Sequence, residues 1–414
     1  MTDDTSTGDA RTDGGAVRRS EKPRTPIDRL RTFAGTELGV VVGVAAATLV
    51  LPFLLVDVLG MVADATGFAI DGYEGLASLV LIFGIVVVGF NILLGYVKLL
   101  SFGHAAFFGV AAYVAALMAS TYEVTVPGIE ATVTMPGVGS PLAMVLAGAV
   151  AATLLAWAIG FFSIRRSGVY FAVLTLTFGQ MLYFFALAPG SWLTNGDDGF
   201  GTGSTSFSVE PLFGVFDLGR RAPIPSAEWL YLFIAGLTVV AVAVAHRILN
   251  SPYGLIFEAL GQNEQRVAFV GLDVFRYKLM SFIISGTFAG VGGALFAIHE
   301  SYIHPNTALY WITSGDFVIM SVLGGVGTLV GPIFGALLFE YINNVMSGFI
   351  GALWRLVLGV AFVLIVWTLP EGLWGAIRGG LARGVAAAER AAFEESGADE
   401  EAGDVESPRQ GDDD

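Results

Sequence analysis

The side chains of this sequence that could do chemistry are few and scattered. Cysteine is absent, so no thiolate nucleophile, thiolate metal site or disulfide can form. The four histidines are too far apart for a zinc motif. No GxxxxGK[ST] stretch offers a backbone cradle for nucleotide phosphates, so the chain does not supply its own hydrolysis. What remains is a set of polar residues in apolar surroundings: Ser101, His104, Thr175, Thr177 and Gln180. An ionisable residue inside a membrane helix is a functional candidate by default. His104 is therefore read either as a pathway group or as a neutral imidazole hydrogen-bonded to a neighbouring helix. Ser101, Thr175, Thr177 and Gln180 divide the same way, between lining a pathway and holding helices together at about 0.6 to 2 kcal/mol per bond. Gly324, Gly325, Gly327 and Gly331 either let two helices pack closely or open a break whose free backbone groups could meet a carboxylate and an ammonium. No cluster of carboxylates or histidines stands out in the apolar runs. That argues against a membrane enzyme and, with no clear inverted repeat, against a transporter driven by an ion gradient.

The elements that must position these residues are membrane helices. Of 414 residues, 55% are hydrophobic and 14% charged, and the mean hydropathy is +0.71, far from the composition of a soluble domain. Apolar runs of about twenty residues, the length that crosses a hydrocarbon core of about 30 Å, fall over 38–58, 75–94, 102–118, 142–162, 169–187, 229–249, 278–298 and 354–369. The expected fold class is all-α: a polytopic helical membrane protein of about eight transmembrane helices. A ninth stretch, 317–341, is broken by glycines and Pro332. It is read as two half-helices, 317–325 and 333–341, re-entering around a glycine turn, with one long tilted helix as the alternative.

Charge sets the expected orientation. Arg18, Arg19, Lys22, Arg24, Arg29 and Arg31 precede the first run, and the links at Lys98, at Arg165 and Arg166, and from Arg247 to Lys278 also carry positive charge. Positive short loops stay in the cytoplasm. Alternate loops carry Asp64, Asp71, Glu74, Glu123 and Glu130, with only Arg220 and Arg221 against the pattern. Arg378, Arg383 and Arg390 follow the last run, so both termini are expected inside and the broken stretch must return to the side it left. Residues 1–37 are expected to form a disordered cytosolic arm, 38–380 the membrane domain, and 381–414 a disordered acidic tail. The net charge of −15 is concentrated there: Glu389 to Asp414 holds eleven acids against two arginines. Such a tail suits a high-salt cytoplasm, such as that of a halophilic archaeon.

Between two of the runs lies a polar segment, 250–278, with helical spacing at Ile256, Leu260 and Val267 and flanking Gly254 and Gly271. It reads as a short cytosolic helix able to dock on a soluble partner. The segment resembles the coupling loop of the permeases of branched-chain amino acid ABC transporters, the LivM-like branch, through Ser251, Gly254, Ala259, Asn263, Glu264, Ala268, Gly271, Tyr277 and Lys278. Leu260, Gly261 and Gln262 depart from the family's pattern and remove its arginine. Three further stretches carry the resemblance. The first runs from Asn91 to Tyr113, with Gly95, Ser101, Gly103, His104 and Phe107 in place; the second from Gly168 to Gln180, with Tyr170, Thr175 and Gln180; the third is the glycine-rich LGGVGTLVGPIFGA from Leu323. Thr194-NGDDGF resembles the family's external turn, and Lys98 departs where the family has glycine or glutamine.

The resemblance implies a permease subunit that hydrolyses nothing and needs no cofactor or metal. It implies a sister permease, two ATPase subunits and an extracellular substrate-binding protein as partners, in lipid and without nucleic acid. It also implies that Glu258, Ala259, Asn263, Glu264 and Gly271 meet the ATPase. Branched-chain or related amino acids are the implied cargo, with urea or a short amide as the alternative. Asp197 and Asp198 are either solvated turn residues or a contact for the binding protein.

Overall fold

The computed structural model describes residues 37–58, 61, 74–119, 122–125, 132–135, 137, 140–166, 168–201, 226–369, 372–376 and 378–379. The arm and the acidic tail expected at the two termini lie outside them, apart from Glu37, which begins the first helix. The helices are α1 (Glu37–Phe53), α2 (Glu74–Asn91), α3 (His104–Ala119), α4 (Pro141–Ser163), α5 (Val169–Leu187) and α6 (Ser226–Leu249), followed by α7 (Pro252–Gln262), α8 (Glu264–Phe269), α9 (Val274–Glu300), α10 (Trp311–Gly324), α11 (Gly331–Ile350) and α12 (Trp354–Thr368). Two small antiparallel pairs, β1 (Tyr122–Thr125) with β2 (Thr132–Met135) and β3 (Phe200–Gly201) with β4 (Tyr302–Ile303), occur in the links. The chain is a polytopic helical protein, as its hydropathy requires.

Among the described residues, eight helical segments are long and apolar enough to cross a membrane. Six coincide with the expected runs; the remaining two expected runs are the shorter helices α3 and α12. The other two long segments correct the expectation for the broken stretch. The break exists, but its arms are Pro305–Gly324 and Gly331–Ile350, each 20 residues long rather than half-helices. Hydropathy understated them because Thr313, Ser314, Asp316, Glu340 and Asn343 interrupt the apolar pattern.

Helices α2 and α9 form the centre. The apolar window of α2 is 94% buried and that of α9 72%, against 22% for α1 and 28% for α6. Helix α9 packs along α2, α3 and α4. Close approach is possible because α9 carries Gly290 and Gly293, where an added Cβ would run into Ala152 and into the Phe108 carbonyl. Outer faces stay apolar and exposed, as at Leu49, Leu154, Phe162, Phe184 and Trp367. In water such faces would be an aggregation hazard; in lipid they cost nothing.

Candidate translocation site and coupling loop

The expected coupling segment is two helices rather than one. Helix α7 starts after Ser251 with Pro252 at its first position, where a missing N–H is harmless. It ends at Asn263, whose backbone is extended and whose side chain caps α8 by accepting from Arg266 N at 3.1 Å. Phe257, Leu260 and Val267 are buried against the bundle, while Leu255, Phe269 and Val270 are exposed at 69, 88 and 79%. Glu258, Ala259 and Asn263 are exposed, Glu258 accepting a long 3.5 Å bond from Gln262 Nε2, and Gly271 turns the chain with φ +87°. Glu264 is not free: it pairs with Lys278 at 2.5 Å, the lysine side chain being only 5% exposed. The loop therefore has an internal ion pair despite lacking the family's arginine.

The departure at Gly261 has a physical reason. A Cβ there would overlap the Tyr96 carbonyl and crowd Lys98, so α7 lies directly on the neck that links α2 to α3. Lys98 itself adopts φ +61°, a left-handed conformation that costs a non-glycine residue about 1 to 2 kcal/mol. A glycine here would adopt that conformation without the cost. Just above, the Asn91 side chain grips the glycine-rich turn: its Oδ1 accepts from Gly327 N at 3.0 Å and its Nδ2 donates to Thr328 O at 2.5 Å. Gly325 and Gly327 have φ of +121° and +82°, conformations suited to glycine. Gly324 faces the Gly331 carbonyl with no room for a side chain. These glycines form a tight α10–α11 turn at the loop end of the bundle, where the expectation was a turn inside the membrane.

Ser101, His104 and Thr175 come together at the buried start of α3. The first N–H groups of a helix have no partner inside it, and away from water each must find one. Phe102 N donates to Thr175 Oγ1 at 3.2 Å, Gly103 N to Ser101 Oγ at 3.3 Å, and Ala105 N to Ser314 Oγ at 2.8 Å. His104, fully buried, bonds Ser101 Oγ through Nδ1 at 3.1 Å and Ser285 Oγ through Nε2 at 2.8 Å. Edge contacts to Phe90, Phe107 and Phe282 enclose its ring. Thr177 is exposed and bonds its own helix at Val173 O. The buried Gln180 Nε2 has no partner among the described residues.

A cavity of about 460 Å³ opens at the other end of the bundle, away from the α7–α8 loop. None of the pathway candidates expected from the sequence is among the residues that line it. Its wall instead carries Glu300, Asp316, Glu340 and Arg355, with the amides of Asn306 and Asn343. Phe83, Phe296, Phe339 and Trp354 supply apolar surface. Asp316 and Glu340 sit halfway along the two arms of the broken stretch, and Glu340 is 5% exposed. Its carboxyl is hydrogen-bonded by the Asn343 side chain, with Asp316 and Glu300 close enough to act on its charge; Arg355 acts likewise on Asp316. The Arg355 guanidinium lies 5.6 Å over the Trp354 ring, which turns edge-on to Phe339. Asn306 Oδ1 accepts from Tyr183 OH at 2.5 Å, fixing which end of that amide faces the cavity. The expected runs hold no carboxylate cluster of their own; the fold brings Glu300 and Asp316, which flank those runs, to the same cavity wall as Glu340. Glu300, Asp316 and Glu340 follow one another at spacings of 16 and 24 residues on different helices, so no local pattern announces them; the available signal was Glu340 inside an expected apolar run, with Glu300 and Asp316 at the edges of such runs.

The comparisons with known proteins agree with this architecture. The chain is 28% identical to the high-affinity branched-chain amino acid transport system permease protein LivM of Escherichia coli K12, over 73% of this chain and 70% of that protein. It is 26% identical to the probable branched-chain amino acid transport permease protein LivM of Methanocaldococcus jannaschii, over 35% of this chain and 45% of the relative. Identity to the ribose import permease protein RbsC of E. coli K12 is 27%, over 32% of this chain and 41% of that protein. No solved structure matches the chain. The family described as branched-chain amino acid transport system / permease component matches residues 72–366, which span the neck, the α7–α8 loop, the α10–α11 turn and the cavity. The chain belongs to that family and is a multi-pass membrane permease component of an ABC importer.

Proposed function

We propose that the chain carries branched-chain or related small amino acids into the cell, working with a sister permease, two ATPase subunits and an external binding protein. Its termini and the α7–α8 loop lie on the cytoplasmic side. The observation that carries the cargo is the extent of likeness: the LivM relative aligns with 73% of this chain, the ribose permease with 32%.

The geometry supplies a route for the work. ATP binding closes the ATPase pair against the exposed apolar face at Leu255, Phe269 and Val270. Helix α7 presses on the neck through Gly261, and Asn91 passes the displacement to the α10–α11 turn. Those two helices bear Asp316 and Glu340 in the cavity, so a rigid tilt of the pair changes access to it.

The test is co-purification of the tagged chain with its partners, followed by uptake in proteoliposomes. ATP-dependent leucine uptake, insensitive to an uncoupler, is expected. Phe269→Asp combined with Leu255→Asp is expected to detach the ATPase while leaving the folded permease; retention of full coupling would sink the docking face. A second cargo reading, a sugar, is favoured by one observation: carboxylates, amides and a tryptophan in the cavity wall suit hydroxyl groups too. Urea or a short amide remains the other competitor. Competition by ribose or urea against leucine uptake separates these.

A further inference from the structure

The cavity contains a buried carboxyl that no cation among the described residues meets. Glu340 is 95% buried at the middle of α11, yet among the described residues its carboxyl is met by the Asn343 amide and by no cation. Arg355, the one basic residue of the wall, acts on Asp316. Among the described residues Glu300 has only the distant His299 Nε2 at 3.9 Å. A carboxylate removed from water without a partner costs several kcal/mol, and such a group in a membrane domain marks a solute path. The volume of about 460 Å³ falls within the range of small-molecule sites, roughly 300 to 1,000 Å³.

We propose that this cavity is a substrate site of the permease itself. It takes the solute's primary ammonium between Glu340 and Asp316, its carboxylate at Arg355, and its apolar side chain against Phe83, Phe296 and Phe339. The proposal rests on the amino-acid import reading and adds to it the site and the chemistry of recognition. A zwitterion suits the wall because its two ends separate Arg355 from Asp316 and give Glu340 a counter-charge. A sugar or urea carries no charge and leaves Glu340 unbalanced. Phe83 and Phe296, tilted against each other at 5.9 Å, share the cavity wall with the charged groups, so an aliphatic side chain has apolar surface to cover it.

The test is equilibrium binding to the co-purified transporter complex in nanodiscs without the binding protein, using L-leucine, 3-methylbutylamine and 4-methylpentanoate. With the unaltered protein, leucine binds best, the amine binds more weakly, and the acid binds least. Glu340→Gln is expected to weaken leucine and the amine at least about tenfold, the size of a lost charge-assisted hydrogen bond. Arg355→Gln should weaken leucine and leave the amine unchanged. Should the acid bind as well as the amine, the site assignment is overturned, and this arm needs no variant to fold. Leucine uptake with Glu340→Gln binding unchanged removes the site while leaving the cargo reading in place. Absence of ATP-driven leucine uptake removes the cargo reading instead. The amine arm then decides the ammonium site alone: tenfold weaker binding in Glu340→Gln keeps it, and equal binding discards it.

Discussion

The His104 cluster and the Glu340 cavity both place polar groups among apolar helices, but they differ in what meets those groups. Around His104 the polar groups are partnered within the bundle: two serine hydroxyls hold the ring nitrogens, and Thr175, Ser101 and Ser314 accept from the N–H groups of Phe102, Gly103 and Ala105. Three aromatic rings exclude anything else. Around Glu340 there is open space, one amide partner and neighbouring charge of the same sign. Polarity in a membrane domain therefore has two meanings. Where donors and acceptors match and no cavity remains, it locks helices; where they are left over beside a cavity, it awaits a solute.

That contrast can be broken at several points. The largest effect is expected from His104→Ala, which removes two buried hydrogen bonds and a ring enclosed by phenylalanines. It should cost about 3 to 5 kcal/mol, seen as a lower thermal midpoint of the detergent-solubilised chain; wild-type stability with uptake abolished would instead make His104 a pathway group. Asn91→Ala orphans Gly327 N and Thr328 O and should cost about 2 kcal/mol. In the reconstituted complex it should lower uptake more than ATPase activity, and proportional loss of both would argue against a role in transmission. Glu264→Gln leaves the nearly buried Lys278 ammonium without its carboxylate. Because Glu264 is 44% exposed, the loss is discounted to about 1 kcal/mol, measured by the same unfolding assay. Lys98→Gly is the smallest and opposite in sign, a gain of about 0.5 to 1 kcal/mol from relief of the left-handed backbone. No gain there would mean that contacts of the lysine side chain offset the strain.

Much of this molecule was legible along the chain. Six of the eight long segments appeared as apolar runs because a membrane helix must be apolar over its whole length, a local property. The α7–α8 loop appeared because a polar stretch between such runs has nowhere else to be. Asn263 as a helix boundary was missed, since Leu260, Gly261 and Gln262 suit an uninterrupted helix and only the extended backbone of Asn263 divides it. The arms of the broken stretch were shortened because polar residues facing the cavity lower hydropathy as loop residues do.

Composition and the spacing of apolar runs by themselves determined that this protein lives in lipid, where six of its eight long segments lie, and where its polar loop emerges. Only the tertiary structure decided which polar residues are spent on each other and which are left facing space. Partner and cavity are relations between helices far apart in sequence: Asn91 meets Thr328 across 237 positions, and His104 meets Ser285 across 181. No periodicity within one helix encodes such a distance, so the same serine, histidine or glutamate reads alike in the sequence whether it bonds a neighbour or lines a cavity.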